Sequence, residues 1–287
     1  MATASPPTTR RQRQIGFSTI LAYLLLIALT ALALLPLLVM LTSSFKPGSE
    51  IFAVPATLFA QEPTLANYVK VLTESDMPRA IGNSLLVGLL ATLATLVLGL
   101  STGYALSRFR FRGARTLSLA LLLGQLLPAT VLLLPVYQLI LRMNLLDTVP
   151  GLSIAMLVFV LPVVTWMLST TFTAVPVELE EAAMIDGCSR PRAVLLVVLP
   201  VAAAGIASVS IFAFLQSWNE FLFASVMTTS AAAKTAPVAL TDFANEFTVD
   251  WGATMAAASV ISIPITIVFL FMQRFFIRGM AAGAVKG

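Results

Sequence analysis

Histidine is absent from this 287-residue chain, and cysteine occurs once, as Cys188. The first absence removes the commonest general base and metal ligand, and the second leaves no intrachain disulfide. Ser-His chemistry, zinc sites and disulfide scaffolds are thereby excluded. Charge is scarce too: Lys, Arg, Asp and Glu make up 10% of the residues, against about 25% in soluble domains. There is no Gly-Lys dipeptide, so the phosphate cradle of a nucleotide hydrolase is missing and the chain does not hydrolyse ATP by itself. What the sequence holds instead is apolar. It is 59% hydrophobic with mean hydropathy +0.96, which excludes a soluble enzyme and a disordered protein. The net charge of +4 is read as basic residues retained in cytoplasmic loops, with no nucleic-acid partner.

A membrane helix needs about 20 mostly apolar residues, because each rises about 1.5 Å through a hydrocarbon layer about 30 Å thick. Six stretches qualify: Phe17 to Leu41, Ser84 to Ser107, Leu117 to Leu141, Gly151 to Ala174, Leu199 to Met227 and Gly252 to Phe276. They lack the period-two alternation of a barrel wall, so the predicted fold is an all-α, six-span membrane protein. The first stretch runs well past the Ala31-Leu32-Ala33 sequence that a signal peptidase would cut, and is read as a retained anchor.

Six spans put both ends on one side. Twelve of the 17 basic residues fall there: Arg10, Arg11 and Arg13; Arg108, Arg110, Arg112 and Arg115; Arg190 and Arg192; Arg274, Arg278 and Lys286. That side is cytoplasmic by the positive-inside rule. The expected organisation is a cytoplasmic tail over 1–16, a transmembrane domain over 17–276 containing an inward loop at 175–200, and a cytoplasmic tail over 277–287. A long outward segment, Thr42 to Asn83, is broken by prolines and reads as a capping layer with one short helix, Leu65 to Leu72.

Few polar groups lie at membrane depth. Glu220 is the only acidic residue well inside an apolar stretch, so the paired carboxylates of proton-coupled carriers are missing. With Gln216 and Asn219 it is expected on one face of span five, either lining a substrate path or serving as interface hydrogen bond or helix cap. Gln125 and Gln138 flank Pro128 and Pro135 in span three, where a kinked helix would turn their amides toward a central cavity or to a neighbouring helix. Trp218 points away from the other three and reads as packing. Gly99-x-x-x-Gly103 in span two predicts close helix packing, and Cys188 fills a small-residue slot. The arginines after span two are explained by topology, with anionic lipid headgroups as a second reading.

The inward loop carries the most pattern. Pro176 opens a helix, Glu178, Glu180 and Glu181 oppose the positive end of its dipole, and Gly187 permits the left-handed turn that stops it. Ser189 is placed to cap a second short helix, Arg190 to Val198. Glu181-Ala182-Ala183, three residues, Gly187, nine residues, then Val197-x-Leu199-Pro200 resembles the Glu-Ala-Ala loop of binding-protein-dependent ABC importer permeases, with Val197 where Ile is usual. Phe45-Lys46-Pro47, Asn83-Ser84, Arg108-Phe-Arg-Phe-Arg-Gly113, Trp218-Asn-Glu-Phe-Leu222 and the C-terminal Gly283-Ala-Val-Lys-Gly287 extend the resemblance to the shorter, six-span subunit of carbohydrate-type importers.

The resemblance implies a non-catalytic half of a sugar importer's path. Its implied partners are membrane lipid, a second related permease, an extracytoplasmic sugar-binding protein and a cytoplasmic ATPase dimer that binds ATP and Mg. It also implies that Glu180, Glu181, Ala182, Ala183, Asp186 and Gly187 dock the ATPase, and that the chain itself holds no cofactor or metal. A secondary carrier or membrane scaffold without an ATPase is the competing reading.

Overall fold

The computed structural model describes residues 17–244 and 249–284. The tail with Arg10, Arg11 and Arg13, and Val285, Lys286 and Gly287, lie outside the described residues. Ten helices carry the architecture: α1 Phe17–Ser44, α2 Ala66–Thr73, α3 Met77–Arg108, α4 Ala114–Gly124, α5 Ala129–Arg142, α6 Val149–Thr173, α7 Val177–Ile185, α8 Arg190–Trp218, α9 Leu222–Met227 and α10 Trp251–Ala284. Among the described residues there is no strand, only the bridge between Ala244 and Val249. Five helices are long and apolar enough to cross a membrane, and the count reaches six when the α4 and α5 pair, bent by 103°, is taken as one broken span.

Local chemistry sets the helix ends. Pro78 sits in the first turn of α3, where a missing amide hydrogen costs nothing, so the helix starts at Met77, before the expected Ser84. Thr148 caps α6, its hydroxyl accepting from the Gly151 amide at 3.1 Å. The α4 helix stops at Gly124, and Pro128 turns the chain into α5, so the expected kinked span three is a broken one. Span five also differs from expectation. Its helix ends at Trp218, and Asn219, Glu220 and Phe221 separate it from the short α9. Its start lies earlier, because Arg190–Ala193, a π-helical turn Val194–Val198 and Leu199–Trp218 run on without a break. The last helix continues past Phe276 to Ala284.

The core forms where α3, α6 and α8 meet. The inward stripe of α3 is built of small residues, including Gly88, Ala91, Gly99 and Gly103, so its neighbours approach closely. Leu168 and Val164 of α6 lie against Gly99, and the Phe214 ring of α8 lies over Gly88. Large buried groups such as Leu152, Met156, Leu168 and Phe172 fill the rest. The α10 helix packs on α8, and α1 packs chiefly on α10 with almost all of its surface exposed. A cap closes the end of the bundle away from α7. Asn83 donates to the carbonyls of Ala232 and Lys234, Ser84 accepts from the Ala236 amide, and Lys70 pairs with Asp250 at 2.6 Å. Asn67 donates to the carbonyls of Ser44 and Lys46, tying α2 to the C-terminal end of α1.

Candidate functional site

The helix α7 lies on the basic side of the bundle, joined to α6 by Ala174, Val175 and Pro176. Gly187 has φ +89°, its amide donates to Met184 O at 3.1 Å, and the Cys188 amide donates to Ala183 O at 3.0 Å. These two bonds form the Schellman stop, and the left-handed residue between them favours glycine. Pro176 precedes the helix rather than opening its first turn, and Ser189 stands at the start of α8 without a side-chain capping bond.

The six residues expected to dock a partner divide between two faces. Glu181, Ala182, Asp186 and Gly187 are exposed, whereas Ala183 is buried and Glu180 is only 2% exposed. Glu180 is thus turned into the chain. One carboxylate oxygen accepts from the Tyr104 hydroxyl at 2.5 Å and lies 3.4 Å from Arg190 Nε, and the other accepts from Arg108 Nε at 3.2 Å. Arg108 also donates to Val175 O at 2.9 Å, past the end of α6, where helix carbonyls lack partners. The Arg190 guanidinium stands 5.3 Å from the centre of the Phe109 ring, within cation–π range. Beside this group a cavity of about 430 Å³ opens, lined by Arg108, Arg110, Arg190, Glu180, Glu181 and Met184 among others. The roles of Tyr104, Arg108 and Arg190 are absent from the sequence reading, which took the arginines as markers of topology. The signal available was an arginine closing an apolar span and an acidic residue three positions before a small buried one.

The polar residues at membrane depth meet only in part. Gln125, Gln216 and Glu220 line one cavity of about 230 Å³ with Met156, Phe159 and Phe223. Gln125 donates to Phe159 O at 3.1 Å. Gln138 and Asn219 are exposed and stand outside this cavity. Glu220 does not share a helical face with Gln216 as expected, because the helix has ended. Its two oxygens accept the amides of Phe223 and Ala224 at 2.7 and 2.9 Å, capping α9. Trp218 is buried and stacks on Phe214, with ring centres 5.8 Å apart, so it serves packing. Trp166 is half exposed on the outside of α6. Among the described residues no group of acidic residues or cysteine is arranged to hold a metal.

Comparison with known proteins gives the following. The family described as binding-protein-dependent transport system inner membrane component matches residues 95–282. The diacetylchitobiose uptake system permease protein DasC of Streptomyces coelicolor is 37% identical over 253 residues, covering 88% of this chain and 91% of that one. The trehalose transport system permease protein SugB of Mycobacterium tuberculosis is 36% identical over 260 residues, covering 89% and 93%. In fold, the chain is similar to a subunit of a bacterial ABC transporter involved in the import of the acidic polysaccharide alginate. The TM-score is 0.79 at 20% identity, covering 95% of this chain and all of that one.

Proposed function

The chain belongs to the family of binding-protein-dependent transport system inner membrane components, and from that membership we propose that it is the permease subunit of an ATP-driven importer for a di- or oligosaccharide. It is a multi-pass inner-membrane protein and a transport subunit. In this reading it forms half of the translocation path, beside a second related permease. A cytoplasmic ATPase dimer binds ATP and Mg and docks on the loop between α6 and α8, and an extracytoplasmic binding protein delivers the sugar. Both termini are cytoplasmic.

The observation that carries the reading is the exposed ridge of Glu181, Ala182, Asp186 and Gly187, held by a Schellman turn on the basic side of a membrane bundle. A solvated connector has no need of such a fixed surface. The relatives' substrates support a sugar, and the cavity of Gln125, Gln216 and Glu220 offers the amides and carboxylate that hydroxyl groups need. The test is reconstitution in proteoliposomes with the cognate ATPase, second permease and binding protein, scored for uptake of a panel of labelled disaccharides. ATP-dependent uptake is expected, with Glu181→Lys leaving the subunit in the membrane but releasing the ATPase. Gln125→Ala changes uptake or substrate range, whereas Leu25→Ala on the lipid face of α1 changes neither. Uptake independent of ATP, or normal assembly and transport with Glu181→Lys, overturns the assignment.

A further inference from the structure

Where α3, α6, α7 and α8 meet, the chain buries an ion pair that docking a partner does not require. The α7 helix is already attached to α6 through Val175 and to α8 through the Gly187 turn. Its link to α3 is of another kind, because Arg108 and Glu180 lie far apart in sequence and only side chains bridge them. Arg108 and Glu180 keep 7% and 3% of their side-chain surface, and Tyr104, one turn before Arg108 on α3, donates to the same carboxylate. With so little surface left to either group, withdrawing one partner would strand the other's charge, so the link is stiff. The covalent route into α8 is continuous but changes its winding: the π-helical turn Val194–Val198 lies between Arg190 and the long apolar part of that helix. Such turns inside helices are frequent at functional positions.

We infer that Tyr104, Arg108 and Glu180 form a latch that makes α7 and the inner end of α3 one mechanical body, so that displacement of α7 reaches α3 directly. This rests on the reading of the chain as an ATPase-driven permease, because something must displace α7. Arg190 serves the latch from the α8 side. It faces Glu180 at 3.4 Å and the Phe109 ring, and because it is about half exposed it can slide while the Arg108 contact holds. These are positioning residues: none is required to touch the sugar.

The experiment uses the complete importer in nanodiscs, in a Cys188→Ser background, with spin labels at Glu178→Cys on α7 and Leu98→Cys on α3. Both positions are exposed. With the latch intact, the label separation is expected to be single and the same in the nucleotide-free and ATP-trapped states. Glu180→Gln is expected to broaden it and to lower the sugar moved per ATP hydrolysed about tenfold, while assembly and ATP turnover persist. Tyr104→Phe, which removes one hydroxyl and no charge, is expected to shift both readouts the same way to a smaller extent. It decides the matter should Glu180→Gln fail to assemble. A separation that changes between states with the latch intact overturns the inference, as does full coupling in the variant that assembles. The distance readout needs only ATP binding, so it is distinguishable from failure of the importer reading, which would appear as no ATP-driven uptake with the native latch.

Discussion

Gly103 stands where α3 and α6 touch. A Cβ there would lie 2.9 Å from the Leu168 Cβ, 3.0 Å from the Ser169 nitrogen and 3.1 Å from the Thr165 oxygen. Because two of these atoms are backbone, Gly103→Val is accommodated only by parting the helices, at a cost of about 1–3 kcal/mol. A lower thermal midpoint in detergent would report it. Gly187 presents the opposite case, with nothing near the place of a Cβ but φ at +89°. Gly187→Ala should cost about 1–2 kcal/mol through backbone conformation alone, and transport should fall further than the membrane level of the subunit, because the turn orients the ridge proposed to meet the ATPase. Asp147, between α5 and α6, is held below the usual carboxylate range by hydrogen bonds from Ser230, side chain and backbone, and from Thr229. A carboxyl depressed in the fold contributes stability above its unfolded value, and that contribution is lost as pH falls through the folded one. Asp147→Asn should therefore lose stability near neutral pH and show a weaker acid dependence, measured as melting midpoint against pH. At this scale the sequence is only half legible. Glu180 and Glu181 are adjacent acids in one helical turn, and which faces inward is decided by Arg108 and Tyr104, which arrive from another helix.

Apolar runs long enough to cross a bilayer announce themselves by composition, so α1, α3, α6, α8 and α10 were legible. Their ends were less so, because hydropathy does not register where a backbone turns. Phe221 to Met227 is as apolar as the helix before it, and the break at Asn219 and Glu220 hides behind that continuity. The 103° bend between α4 and α5 likewise occurs within an unbroken apolar stretch, where Pro128 marks the site but not the angle. The π-helical turn in α8 gives no compositional signal in Val-Leu-Leu-Val-Val. Its role can be tested by removing one residue. Deleting Leu196, an exposed side chain, should turn this segment into ordinary α-helix of about 3.6 residues per turn while leaving Arg190 facing nearly as before, because the wider turn already absorbs one extra residue. The expected outcome is a subunit that inserts and assembles at normal levels but couples ATP hydrolysis poorly to uptake, scored in the same proteoliposomes. Normal coupling would show that the turn is incidental.

For the whole molecule, the distribution of basic residues predicts which surfaces meet the cytoplasm, and the native thiol reports it. Cys188 should resist a membrane-impermeant maleimide in intact cells and react in inside-out vesicles. Glu62→Cys in the outer cap and Ser5→Cys in the N-terminal tail should react from outside and inside respectively. External labelling of Ser5→Cys would overturn the orientation. The placing of α1 has a further consequence, for biosynthesis. This helix leaves the ribosome well before α10, yet it is α10 on which it chiefly packs. Its C-terminal end is fastened by Asn67, whose side chain in turn lies against Gly252 at the start of α10. During translation α1 therefore waits in lipid without its main packing surface until α10 emerges. Nascent chains truncated before Trp251 should expose it to membrane proteases that the finished subunit evades.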